Sequence, residues 1–372
     1  MPISTTGSRL SGLRFIDPQL DAGWRHVVVP AGGDRELPTA VRPLAVEVAG
    51  AGRMHGLDDW LRETWATSLL VVDRGTVVQE WYAEDLGPDT LFLGASMTKS
   101  VLAHLVGRAV RDRRLALDDV VTYHVDELRT TGYAGTTVRD LLTMTSGASW
   151  VEDHRDPDGL ASRLLATFSS DAGSRPLLRS VHTGIAPGRR FAYSTADSQV
   201  LDWVRERATG LSYAAEVARL WSDLGCTSDA AVAVDGHGVA LAGGGLAATA
   251  RDWARVALLA VDGRAPDGRP ILDPEWVEAA ARPAYPFLAP GRLPSSITTH
   301  AGFGYHWWPM DDAGRRVTAD GSRGQFAATD RDTGAVVVKT SLWPYEDVLV
   351  DRQARDLSYL GLHTLLDALS TS

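Results

Sequence analysis

An α+β fold is what this sequence predicts: an antiparallel β-sheet flanked by helices, with a helical lobe inserted into it. Three observations carry that expectation. Strand-like runs occur early, over residues 68–85, and again late, from residue 302 to about 345. Helical periodicity dominates the stretch from 160 to about 285. A last helical pattern, 353–369, closes the chain. The two strand blocks can share one sheet if the helical block sits beside it. Residues 1–95 plus 290–372 are therefore assigned to the sheet-containing lobe and 96–289 to the helical lobe, together one integrated unit.

The elements follow in order. Residues 1 to about 40, with Pro, Gly and Asp scattered through them, read as an extended arm over the surface. Leu57, Trp60, Leu61 and Trp65 have helical spacing within 55–67. Two apolar runs then flank Asp73-Arg74-Gly75, a hairpin signal. Over 97–113, Val101, Leu102, Leu105, Val106 and Val110 form one apolar stripe. A short helix is expected at 137–145, capped by Thr136 or Thr137. Helices at 194–208 and 247–261 should stop at Gly210 and at Asp262-Gly263, and a shorter one spans 273–282. "GFGYHWWP", "RRVTADGSRGQFAATD" and "TGAVVVKTSLW" are strand-like runs separated by turns. Trp307 and Trp308 should straddle the sheet, one inward and one outward.

Composition narrows the function. The chain has 372 residues, 44% hydrophobic, which suffices for a sizeable core. A net charge of −10 gives no general attraction for nucleic acid or anionic lipid, so neither is expected as a partner. The N-terminal "MPISTTGSRLSGLRFIDPQL" has no apolar region of signal-peptide length, and no run is long enough to span a membrane, so a cytoplasmic location is expected. The one cysteine, Cys226, excludes an intrachain disulfide and a multi-cysteine zinc site; nothing near it in sequence would activate the thiol. Of 37 basic residues only Lys99 and Lys339 are lysines. Where a cation must release a proton near neutral pH, arginine cannot serve and lysine can.

Ser96-Met97-Thr98-Lys99 places that chemistry at the start of the apolar helix. Serine and lysine three apart share one helix face. The helix N-terminus favours developing negative charge at the serine, and apolar surroundings lower the lysine's pKa. The competing reading is an N-cap serine beside a surface lysine, but the helix is too apolar on that side to be a solvated face. Gly94 and Ala95 leave room for an acyl group to approach. Tyr193, in "PGRRFAYSTADSQVL", is a candidate acid/base, since a nearby ammonium would favour its phenolate. Gly321 and Gly324, in "VTADGSRGQ", mark close backbone approach.

These segments in this order, from about residue 20 to about 345, resemble the serine beta-lactamase and penicillin-binding superfamily, and within it the branch of 6-aminohexanoate-dimer hydrolases and family VIII esterase-like enzymes. The resemblance implies the beta-lactamase/transpeptidase-like version of the α+β fold. It implies that Ser96 attacks a carbonyl to form an acyl-enzyme, that Lys99 takes or relays its proton, and that Tyr193 occupies the acid/base position. By the same resemblance, the backbone N–H groups of Ser96 and Ser322 form the oxyanion hole beside Gly321, and Trp150 lines the pocket. Two departures stand out. Ser322-Arg323 replaces the histidine or aromatic residue frequent there. Thr195 replaces the asparagine of penicillin-directed members, which argues against a penicillin-directed role. "KTS" at 339–341 imitates a Lys-Thr-Gly motif but falls one strand too late, so Lys339 is read as structural.

Other signals are weaker. Residues 94–98, "GASMT", do not form a Gly-x-Ser-x-Gly elbow. A Ser–His–Asp triad through His154, His182, His237 or His306 has no supporting motif. "EDHRDPDG" at 152–159 lacks metal-site spacing and reads as a solvated acidic loop. "GGGLAA" at 243–248 reads as close packing under the active site. The expected function is thus a serine hydrolase of an ester or linear amide acting through acyl-Ser96. An acyltransferase or amide synthase would use the same intermediate, and a non-catalytic binding module would show no burst with an activated ester. The expected partner is a small-molecule ester, amide or acyl donor, with no cofactor and no metal.

Overall fold

Two residues in the left-handed region, Arg74 (φ 47°) and Gly75 (φ 79°), fold the first apolar run back on itself, as a tight two-residue hairpin requires. The computed structural model describes residues 24–42, 44–50, 52–289, 302–343 and 348–370. Its strands are β1 (Arg25–Val29), β2 (Glu47–Gly50), β3 (Arg53–Gly56), β4 (Ala66–Asp73), β5 (Thr76–Tyr82), β6 (Phe92–Leu93), β7 (Ala230–Val234), β8 (Leu246–Ala248), β9 (Trp308–Pro309), β10 (Arg316–Gly321), β11 (Gln325–Asp330) and β12 (Ala335–Ser341). Its helices are α1 (Leu57–Glu63), α2 (Met97–Arg111), α3 (Val121–His124), α4 (Val138–Leu142), α5 (Leu160–Ala166), α6 (Ser174–Leu178), α7 (Thr195–Thr209), α8 (Tyr213–Leu224), α9 (Ala250–Asp262), α10 (Pro274–Ala280) and α11 (Val348–Ser370).

The principal sheet has the order β5-β4-β12-β11-β10-β9, antiparallel throughout. The early hairpin therefore joins the late strands through β4 and β12, where Leu69 faces Lys339 and Val71 faces Val337. Alternation along the strands divides two cores. Leu70, Val72, Val336 and Val338 face the main core under α9; Leu69, Val71, Val337 and Phe326 face a second core under α1 and α11. With helices on both faces, the "LLVV" of β4 is buried at every position instead of alternating with polar residues.

Local stops fall where the sequence places them. Gly210 (φ 77°) ends α7 and Gly263 (φ 75°) ends α9. Thr137 caps α4 in a capping box with Asp140.

Three features differ from the sequence expectation. Residues 25–29 are a strand, pairing with β7 in a second sheet of order β1-β7-β8-β6, so the middle of the chain is not purely helical; the arm's residues 1–23 lie outside the described residues. Helix α9, from the middle stretch, packs on β4, β11 and β12 and so covers the principal sheet. Trp307 and Trp308 are both buried: Trp307 lies in the main core against His104, and Trp308 is enclosed by Phe191 and Phe303. Helix α2 runs between α7 and α8 on one side and β10 and β11 on the other, which buries every residue from Met97 to Ala109.

Candidate active site

The turn into α2 is built by its neighbours. Gly94 donates its N–H to the carbonyl of Leu246, and the Trp253 indole of α9 donates to the carbonyl of Phe92. A Cβ on Gly94 would come within 2.3 Å of the Trp253 ring, so packing requires glycine there. Ala95 follows in the left-handed region at φ 45°, a conformation that costs a non-glycine residue on the order of 1 kcal/mol. Ser96 then occupies the N-cap position in helical conformation, and its side chain makes no capping bond. Its hydroxyl is turned toward Lys99 instead.

Lys99 is 3% exposed. Its Nζ donates to Ser96 Oγ at 3.1 Å, to Thr195 Oγ1 at 3.2 Å and to the Gly243 carbonyl at 2.6 Å. Burial lowers its pKa to about 8, against the opposing pull of Glu152's negative charge. Gly243 is held by Gln199, which accepts from its N–H. A Cβ on Gly243 would lie 3.0 Å from Thr195 Cγ2, so this glycine lets the carbonyl reach the amine.

Glu152 is the residue that sequence reasoning missed. The acidic loop folds it inward, and its side chain is 16% exposed. One carboxylate oxygen accepts from the Trp150 indole (2.6 Å) and the Thr195 N–H (2.8 Å); the other accepts from Thr195 Oγ1 (2.5 Å) and pairs with His154 Nε2 (3.2 Å). Burial alone would raise its pKa, but the His154 bond and the charge of Lys99 hold it down to about 2. The rest of the loop is more exposed, and among the described residues no group of three or more His, Cys, Asp or Glu side chains could hold a metal ion. Trp150 is buried at 7% exposure against the main core and donates its indole N–H to Glu152.

Tyr193 is half-buried just before α7, its ring stacked on Trp308 at 6.0 Å and 5.0 Å from Lys99 Nζ. Burial pushes the phenol well above its ordinary pKa; its hydrogen bond with Ser96 pulls the other way, and the charges of Glu152 and Asp320 add to the rise. That shift runs opposite to the one a neighbouring ammonium would produce. On the opposite side, Gly321 ends β10 against the Ser96 turn: a Cβ there would lie 2.2 Å from the Gly94 carbonyl and 3.2 Å from Ser96 N. Ser322 is exposed at the adjoining turn. Arg323 (φ 62°) donates from Nε to the Trp343 carbonyl.

The remaining candidates lie elsewhere. Among the described residues no histidine bonds to the Ser96 hydroxyl. His306 Nδ1 contacts the Lys99 carbonyl, and burial depresses its pKa to about 3. Cys226 is buried, which pushes its thiol pKa up. Lys339 lies in β12 over Trp60 and Trp343 in the second core.

The beta-lactamase family model matches residues 57–360. A 6-aminohexanoate-dimer hydrolase of Paenarthrobacter ureafaciens is 30% identical over 321 residues, spanning 84% of this chain and 82% of that protein. Esterase EstB of Burkholderia gladioli is 39% identical over 139 residues, 35% of each chain. Among solved structures, a candidate 6-aminohexanoate-dimer hydrolase from Bacillus anthracis aligns at TM-score 0.79 and 21% identity over 92% of both chains, a likeness of fold.

Proposed function

This chain belongs to the beta-lactamase family, whose members among its relatives include an amide hydrolase and an esterase, and from that premise we propose that it cleaves an ester or linear amide through an acyl-Ser96 intermediate. The observation that carries the reading is the set of acceptors around Lys99. A neutral amine has two N–H bonds and one lone pair. With Gly243 and Thr195 taking the two N–H bonds, the lone pair is left for the proton of Ser96. With a pKa of about 8, roughly a tenth of Lys99 amines are neutral at pH 7.

In the proposed acylation, Ser96 Oγ attacks the carbonyl carbon as its proton passes to Lys99. The oxyanion is held by the backbone N–H groups of Ser96 and Ser322. Tyr193, a neutral phenol, gives its proton to the leaving oxygen or nitrogen as that bond breaks, and regains one from the Lys99 ammonium. Water then adds to the acyl carbonyl, its proton passing to Lys99; Ser96 leaves from the carbonyl carbon and takes that proton back.

The experiment is intact mass spectrometry after brief exposure to p-nitrophenyl acetate, paired with nitrophenol release. An acetyl group on the peptide containing Ser96, with both label and turnover lost in Ser96→Ala, is expected. Undiminished turnover in Ser96→Ala would overturn the proposal. Added amine diverts the product from acid to amide if the acceptor is an amine.

A further inference from the structure

Four donors converge on Glu152: the Trp150 indole, the Thr195 backbone, the Thr195 hydroxyl and His154. A hydroxyl has one proton, and Thr195 spends its own on this carboxylate. Toward Lys99, Thr195 can then offer only a lone pair. The direction of the bond between Lys99 and Thr195 is therefore set by a residue that does not touch Lys99.

We propose that Glu152 and Thr195 form a polarity lock that positions Lys99: by holding the Thr195 proton, Glu152 obliges the amine to donate to Thr195 and so keeps its lone pair on Ser96. The inference rests on Lys99 as the acceptor of the Ser96 proton. Without the lock, the Thr195 hydroxyl could rotate and donate to the same lone pair, competing with Ser96. The lock also places a carboxylate one hydroxyl away from the ammonium formed when the serine proton arrives.

The other groups facing Lys99 do not duplicate this. Tyr193 approaches as a neutral phenol, Gly243 contributes a carbonyl, and His306 contacts the Lys99 backbone with a ring that burial keeps neutral. Arg355 and Asp320 pair with each other on the Tyr193 side. Glu152 is the carboxylate whose charge acts on Lys99.

Glu152→Gln tests the direction of the chain. The Trp150 indole and the Thr195 N–H both require an oxygen, which turns the new amide's NH2 toward the Thr195 hydroxyl. Thr195 must then accept, and its own proton swings toward Lys99. The expected result is a kcat about 10²-fold lower with little change in KM, together with an acid limb of the kcat/KM profile displaced to lower pH by about one unit, because a negative charge has been removed near Lys99. Thr195→Val should lose kcat similarly, and Thr195→Ser should recover most of it. An unmoved acid limb in Glu152→Gln, with Thr195→Val no worse than Thr195→Ser, would overturn the lock and leave the pair a packing contact. Should Thr195→Val fail to fold by circular dichroism, the Glu152→Gln profile decides alone. An unlabelled Ser96 in the wild-type enzyme would instead remove the underlying reading of Lys99.

Discussion

Gly321→Ala is the most demanding test of the oxyanion side. The added methyl would sit 2.2 Å from the Gly94 carbonyl oxygen, whereas ordinary contact begins at 3.4 Å, so β10 must retreat from the Ser96 turn by about 1.2 Å. It would also lie 3.2 Å from Ser96 N, on the N–H proposed to hold the oxyanion. Losing one such donor costs about 10²–10³ in kcat, and a 1 Å displacement alone costs about 10². Overpacking should destabilise the fold by about 1–3 kcal/mol. The assay is steady-state hydrolysis of p-nitrophenyl acetate alongside thermal unfolding. A folded variant with kcat within about threefold of wild type would refute the placement of the oxyanion hole between the Ser96 turn and β10.

Further outcomes are expected at three residues. With Lys99 at a pKa of about 8, kcat/KM should fall about tenfold per pH unit below pH 8; Lys99→Arg, which keeps the charge but cannot release the proton, should lose at least about 10³-fold, read by nitrophenol release. Tyr193→Phe should lower kcat for a linear amide by about 10²–10⁴ while KM changes little, and a change in KM alone would demote Tyr193 to a contact residue. Lys339 is buried on Ser341 Oγ and the Thr64 carbonyl, and burial holds its amine pKa well below the ordinary value. The unfolded chain keeps that proton to higher pH, so wild-type stability should gain up to about 1.4 kcal/mol per pH unit between the folded and unfolded pKa values. Thermal melts across that interval should show wild-type stability rising with pH and Lys339→Met losing that slope.

What the sequence determined is local. Ser96 and Lys99 meet because residues three apart on a helix share a face, whatever surrounds them, and the Arg74-Gly75 turn and the glycine stops at 210 and 263 are backbone requirements that a few residues state in full. Tertiary structure decided what sequence spacing leaves open. Glu152 could not be told from the other carboxylates of its loop, because its role depends on Trp150 and His154 nearby and on Thr195, which lies 43 residues further along. The Gly243 carbonyl is 144 residues from the amine it binds, and β1 finds its partner strand some two hundred residues downstream. Tyr193 lies close to an amine, yet burial shifts its phenol pKa upward. Helix and turn patterns encode directions along the chain, whereas desolvation and charge pairing depend on which distant segments exclude water from a shared space.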